Sequence, residues 1–178
     1  MLPECVRAWM APITDPSTAA ERGFYRGKPY GLDLSAVFGS WPHEMAWARR
    51  PLTGECLLAE PKPLWTHHVY TLPAEKARLP FRASLEFKIS RAAELDGLVL
   101  WFDAELGGGI TLTNAPGAPL THWSQYVLPL KFGGPVAPGV VLTVQFACIP
   151  ALPGYCHNAW SAKIGSGPWE HHDTRCAL

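Results

Sequence analysis

What most restricts this chain is its punctuation. Eighteen prolines and 16 glycines are spread through 178 residues, and they cut the apolar runs into strand-sized pieces. Phe81 to Ile89 shows the pattern most plainly. Phe81, Ala83, Leu85, Phe87 and Ile89 fall on one face, and Arg82, Ser84, Glu86 and Lys88 on the other. A period of two means one buried face and one wet face. Similar runs occur at 6–13, 56–59, 65–71, 98–106, 110–113, 124–130, 140–148 and 157–164. Gly107-Gly108-Gly109, Gly133-Gly134-Pro135 and Pro138-Gly139 read as turns between them. Eight or nine short strands predict a mainly β fold, an antiparallel β-barrel or sandwich. Closure into a barrel would remove exposed edges.

One region breaks the β pattern, at about residues 14–50. Asp15 followed by Pro16 predicts a helix start, with Asp15 as the N-cap and Pro16 at the first helical position. This helix should run to about Tyr25, where Gly27 and Pro29 stop it. A short helical segment is expected from Tyr30 toward Phe38, and another over Trp41 to Arg49. Phe24, Tyr25, Tyr30, Phe38, Trp41 and Trp47 are more aromatic surface than short helices bury on themselves. Such an excursion either folds back on its own sheet or docks on a second surface. The last fourteen residues carry little apolar pattern and are expected to fray.

Composition narrows the function classes. Hydrophobic residues make up 48% and charged residues 17%, enough for a core and against disorder. Residues 1–178 read as a single domain. No run of eighteen apolar residues suits a membrane span, and no basic segment followed by an apolar stretch suggests a signal peptide. Fifteen basic residues balance 15 acidic ones, so bulk charge gives nucleic-acid binding no support. Five cysteines without a Cys-x-x-Cys fit a reduced, cytoplasmic chain, with Cys148 as a small core hydrophobe. His67 and His68 are adjacent in a strand and point to opposite faces, and His171-His172 fall in the tail. No metal site is expected. Asp103 and Glu105 read as a solvated strand face.

The chemistry-bearing stretch is Ile110 to Lys131. Two β-type runs flank a loop holding Pro116, Gly117 and Pro119, then Leu120-Thr121-His122-Trp123. Prolines restrict the loop, so it can present an imidazole beside an indole at a fixed place. On residue types alone, such a pair serves either packing or presentation.

The Thr121-His122-Trp123 run, after a Thr-Asn-Ala-Pro loop and before a strand, resembles the Thr-His-Trp loop of the protein arginine methyltransferases. In that family the loop lies in the C-terminal β-barrel domain. Phe24-Tyr25 followed by Tyr30-Gly31-Leu32-Asp33-Leu34-Ser35 resembles the family's helical dimerisation arm. Leu2 to Ile13 is similar to its first barrel strand. Leu100 to Leu106 is similar to its Trp-Phe-Asp-x-x-Phe strand, with Leu106 replacing the aromatic.

The resemblance implies several things. His122 would be catalytic, relaying a proton near the substrate arginine and pairing with an acidic residue of the cofactor domain. Thr121 and Trp123 would shape the substrate pocket. Phe24, Tyr25, Tyr30, Gly31, Leu32 and Asp33 would form an arm that reaches a partner's cofactor domain. The S-adenosylmethionine pocket and the paired glutamates that hold the guanidinium belong to that other domain. No Gly-x-Gly-x-x-Gly turn opening a helix is present here. The expectation is therefore a substrate-binding and dimerisation barrel that binds no S-adenosylmethionine alone. It would act as a homodimer or with a cofactor-domain partner, on a protein or peptide arginine. The alternatives are a stand-alone interaction or regulatory module, and a small-ligand-binding barrel suggested by the eight tryptophans.

Overall fold

The computed structural model describes residues 3–34, 36, 46–47, 51–151 and 155–176. Ten strands are described: β1 (Cys5–Ile13), β2 (Ala46–Trp47), β3 (Lys62–His68), β4 (Phe81–Lys88) and β5 (Ala93–Glu105), then β6 (Thr111–Thr113), β7 (Tyr126–Val136), β8 (Val141–Pro150), β9 (Cys156–Ile164) and β10 (Glu170–Asp173). They form two antiparallel sheets. One has the order β2-β7-β5-β1-β3, with β6 also paired to β5; the other is β10-β9-β8-β4. The mainly β architecture read from the sequence is therefore present. Among the described residues the sheets are not closed on one another, so the fold is of the sandwich kind.

The alternation in β4 holds in three dimensions. Phe81, Ala83, Leu85 and Phe87 turn inward while Arg82, Ser84, Glu86 and Lys88 are exposed. Met10, Leu98, Leu128 and Leu130 of the first sheet meet Phe87, Leu142, Val144 and Trp160 of the second in one core. Each such side chain removed from water stabilises the fold by roughly 1.5–3 kcal/mol. Trp160 is the largest fully buried side chain, and its indole N–H donates to the Pro129 carbonyl of the facing sheet at 3.2 Å. The outer face of the first sheet is covered as well. Ala11, Ile13, Val99 and Val127 pack there under Leu52, Cys56 and Ala115. Trp9 stacks on Trp101 at 6.4 Å in the same layer, and its indole N–H donates to Asp103 Oδ2 at 2.6 Å. Asp103 is thus bonded to a core-edge indole, which corrects its reading as part of a solvated face.

Several expected boundaries move. The strand expected at 56–59 is a short 3-10 turn, Gly54–Cys56, followed by a single bridge between Leu57 and Ile13. Gly133-Gly134-Pro135 is not a turn. It continues β7, with Gly134 opposite Leu95 and Pro135 opposite Glu94, past a register shift between Leu95 and Gly97. Gly97 is needed there, because a Cβ would lie 2.7 Å from the Leu128 carbonyl oxygen. Part of the C-terminal tail expected to fray is a strand: β10 pairs with β9 along Glu170 to Asp173. Its His172 is buried, stacks on Trp160 at 5.1 Å, and has Glu170 Oε1 2.8 Å from Nε2. Glu170 in turn accepts the backbone N–H groups of Lys131 and Phe132 (2.8 Å for the latter), tying the two sheets together.

The helix of the excursion is α1 (Pro16–Arg26), and it begins as expected. Asp15 accepts the backbone N–H of Ser17 at 3.2 Å and of Thr18 at 3.1 Å, and both hydroxyls also donate to it. The Asp15 N–H donates to buried Asp96 Oδ2 at 2.8 Å, which pins the helix start to β5. At the other end the Arg26 guanidinium donates to the Lys131 carbonyl at 3.1 Å. The short helix expected over 41–49 is replaced at Ala46–Trp47 by β2, paired with β7. The helical segment expected from Tyr30 is only a 3-10 turn, Pro29–Gly31, with Leu32 extended after it; Phe38 and Trp41 lie outside the described residues. A short helix not expected from the sequence, α2 (Ala74–Ala77), joins β3 to β4. No helix among the described residues is long and apolar enough to cross a membrane.

Burial alone would raise the Asp15 carboxyl, but hydrogen bonds from Ser17 and Thr18 outweigh it and hold the group below its ordinary value of 3.8. A depressed carboxyl binds its proton more weakly folded than unfolded. Its stabilising contribution is therefore complete above pH 3.8 and is lost as pH falls through the lower folded value. Asp15→Ala should cost about 1–2 kcal/mol at pH 7, the scale of an N-cap loss. In urea unfolding followed from pH 7 to pH 2, the gap between wild type and variant should narrow only in the acid limb. A constant gap would show that the carboxylate is not the source.

Candidate functional site

The loop between β6 and β7 is held at both ends by one buried side chain. Asn114 follows β6, and its Oδ1 accepts the Phe102 N–H of β5 at 2.9 Å. Its Nδ2 donates to the Ser124 carbonyl, at the far end of the loop, at 3.0 Å. Buried Gln125 closes the frame by donating to the Asn114 carbonyl at 2.8 Å. A third anchor is the Gly117 N–H, which donates to the Leu52 carbonyl at 2.8 Å. Gly117 has φ +83°, and a Cβ there would sit 3.1 Å from the Gly54 nitrogen, so glycine suits both the turn and the approach.

On this frame stand the three residues singled out from the sequence. The Thr121 hydroxyl accepts the Trp123 N–H at 3.2 Å and donates to the Trp123 carbonyl at 3.0 Å. Thr121 therefore fixes the backbone of the corner. Trp123 packs edge-on against Phe102 of β5, with ring centroids 5.9 Å apart and planes at 79°. His122 meets Trp123 in a similar edge contact, at 5.9 Å and 80°, and its ring is exposed. The corner is thus at the rim, open to solvent.

Two hollows share Trp123. One of about 130 Å³ runs under the loop, past Asn114, Pro119, Thr121 and Gln125. The other, about 190 Å³ and almost wholly apolar, is lined by Leu100, Trp101, Phe102, Tyr126 and Trp123. Burial raises the Tyr126 phenol above its ordinary value, in keeping with an apolar wall. Sequence reasoning missed Asn114, Gln125 and Phe102 as the parts that aim the corner. Asn114 beside Pro116 carried a turn signal, but its partner on β5 is set only by the fold.

The arm residues lie apart from this corner in the sequence and present themselves outward. Phe24 is half exposed on α1. Tyr30 is 95% exposed and Leu32 60% exposed, in a short 3-10 turn and the residue that follows it. Tyr30 and Gly31 both have positive φ, 56° and 76°. For tyrosine that conformation is uncommon. Asp33 is exposed. The side chain of Tyr25 and all of Ser35 lie outside the described residues. Among the described residues no group of three or more His, Cys, Asp or Glu is placed to hold a metal ion.

Comparison with known proteins meets this geometry. Residues 8–153 match the family model described as the arginine methyltransferase oligomerization subdomain. An arginine N(omega)-methyltransferase of Streptomyces achromogenes subsp. streptozoticus is 30% identical over 129 residues, covering 72% of this chain and 29% of that protein. A probable histone-arginine methyltransferase of Arabidopsis thaliana is 29% identical over 134 residues, covering 70% of this chain and 25% of that protein. The chain thus spans between a quarter and a third of the length of these relatives. Among solved structures, the Trypanosoma brucei PRMT1 enzyme–prozyme heterotetrameric complex with AdoHcy superposes with a TM-score of 0.77. It does so at 15% identity, over 97% of this chain and 58% of that one. Protein arginine methyltransferase 10 of Arabidopsis thaliana gives a TM-score of 0.74 at 18% identity, over 97% and 60%. These structures share the fold. The family match over most of the chain goes further: this chain belongs to the arginine methyltransferases, through the oligomerization subdomain of that family.

Proposed function

We propose that this chain is the substrate-side and association half of a protein arginine methyltransferase. In this reading His122 and Trp123 form one wall of a site for a protein or peptide arginine, and Thr121 holds them in place. The methyl donor and the carboxylates that hold the guanidinium come from a cofactor domain outside these residues. That domain supplies methyl-transfer chemistry when S-adenosylmethionine is bound. The observation that carries the reading is the exposed His122–Trp123 corner, braced by Asn114 and Gln125 at the rim of the sheets. An imidazole serving only to pack would be buried and satisfied by backbone.

The role of His122 is to hold or relay a proton beside the reacting guanidinium. Trp123 keeps water from one side and restricts the arginine's approach. The arm around Tyr30 and Leu32 supplies apolar surface for docking. The Trypanosoma neighbour, an assembly of enzyme and prozyme, is a precedent for chains of this fold working with a partner. A ligand-binding barrel fits less well, because the space between the sheets is filled by Trp160, Phe87, Met10 and their neighbours.

Titration calorimetry and a radiolabelled methyl-transfer assay test the proposal together. The chain alone should give no saturable heat with S-adenosylmethionine and no labelled arginine peptide. Joined to the family cofactor domain of its own host, it should give both. Saturable donor binding by the chain alone, or no gain from the barrel on joining, would overturn the reading.

A further inference from the structure

The hairpin of β8 and β9 carries a pair of thiols that the proposed methyl-transfer site does not use. Its register sets Cys148 opposite Asn158 and Pro150 opposite Cys156. Residues opposite each other, and those two apart along a strand, share a face. Cys148 and Cys156 are therefore diagonal neighbours on one face, at the turn end of the hairpin. The right-handed twist of paired strands draws such side chains together. The Cys156 thiol is near enough to help raise the Cys148 thiol. They differ in access: Cys148 is half-buried against the core, and Cys156 is exposed.

We propose that Cys148 and Cys156 are a peroxide-responsive dithiol that closes to an intramolecular disulfide. Cys156 is the attacking group, since a peroxide reaches its sulfur from solvent. Its sulfur attacks one oxygen of hydrogen peroxide, an S–O bond forms and the O–O bond breaks. The departing hydroxide takes the thiol proton and leaves as water. The sulfur has lost two electrons, and the peroxide has gained them. The Cys148 sulfur then attacks the sulfenic sulfur, forming the S–S bond and breaking the S–O bond. The second hydroxide leaves as water with the Cys148 proton. Burial, with the neighbouring Cys156 thiol, raises the Cys148 thiol to about 11. Cys148 is the less accessible of the two sulfurs, which orders the two steps.

The sequence makes the product easy to read. Trypsin cuts after Lys131 and Lys163, and the peptide between them holds Cys148 and Cys156 and no other cysteine. The native chain should be treated with hydrogen peroxide, blocked with N-ethylmaleimide and digested. The expected peptide is lighter by two hydrogens, carries no maleimide, and returns to a doubly labelled form after dithiothreitol. Cys148→Ser should leave Cys156 at the sulfenic or higher oxidation states, and Cys156→Ser should leave Cys148 largely free. A doubly labelled peptide after peroxide would overturn the proposal. So would a disulfide joining either cysteine to Cys5, Cys56 or Cys176.

Discussion

Replacing His122 by Ala, in the chain joined to its host's cofactor domain, is expected to lower kcat for methyl transfer by about 100-fold or more, the usual scale for a lost general acid–base group. KM for the arginine peptide should change little. The melting temperature should stay within about a degree, because the ring is exposed and its one described contact is an edge contact with Trp123. The split matters. A histidine that merely supported the loop would lose stability along with activity. Asn114 supplies the contrast, since its side chain bridges Phe102 and Ser124 from a buried position. Undiminished turnover in the His122→Ala protein would take the imidazole out of the chemistry.

Trp160→Ala is expected to destabilise the chain by about 3–5 kcal/mol, the cost of emptying a large buried aromatic site. Three contacts fail together. The indole volume leaves the junction between the two sheets, the Pro129 carbonyl loses its donor, and His172 loses the ring it stacks on. Because His172 and Glu170 hold β10, the last strand should loosen as well. Urea unfolding followed by circular dichroism measures the loss. Trp160→Phe separates the causes, keeping most of the ring and removing the N–H. It should cost only about 1–3 kcal/mol, as for a buried carbonyl left unpaired. A loss under about 1 kcal/mol in the alanine variant would mean that the sheets are joined elsewhere.

Much of this architecture was legible because a half-buried strand writes itself as alternation. Phe81 to Lys88 and Cys156 to Ile164 are readable residue by residue, and Asp15-Pro16 announces α1 through capping chemistry alone. The misreadings share a physical origin in partners distant along the chain. Gly133-Gly134-Pro135 has turn composition, yet β2 covers only Val127 and Tyr126. Beyond that pair, the side of β7 away from β5 is an edge among the described residues, and an edge strand tolerates proline. Glu170 and His172 look like solvated tail residues until Lys131, Phe132 and Trp160 are placed beside them. Ala46–Trp47 took the strand state because β7 offered an edge, against a local preference for helix. At the candidate site the corner itself was legible as Thr121-His122-Trp123. Its bracing was not, because Asn114 acts through a backbone group twelve residues away on another strand.

Tyr30 and Leu32 are exposed, and the matched family model is described as an oligomerization subdomain. Sedimentation velocity of this chain mixed with the cofactor-domain protein is the most direct test. The mixture should show a new, faster species at micromolar concentrations, abolished by Tyr30→Ala with Leu32→Asp while the doubly substituted chain stays folded. Two boundaries sedimenting independently at every mixing ratio would contradict it.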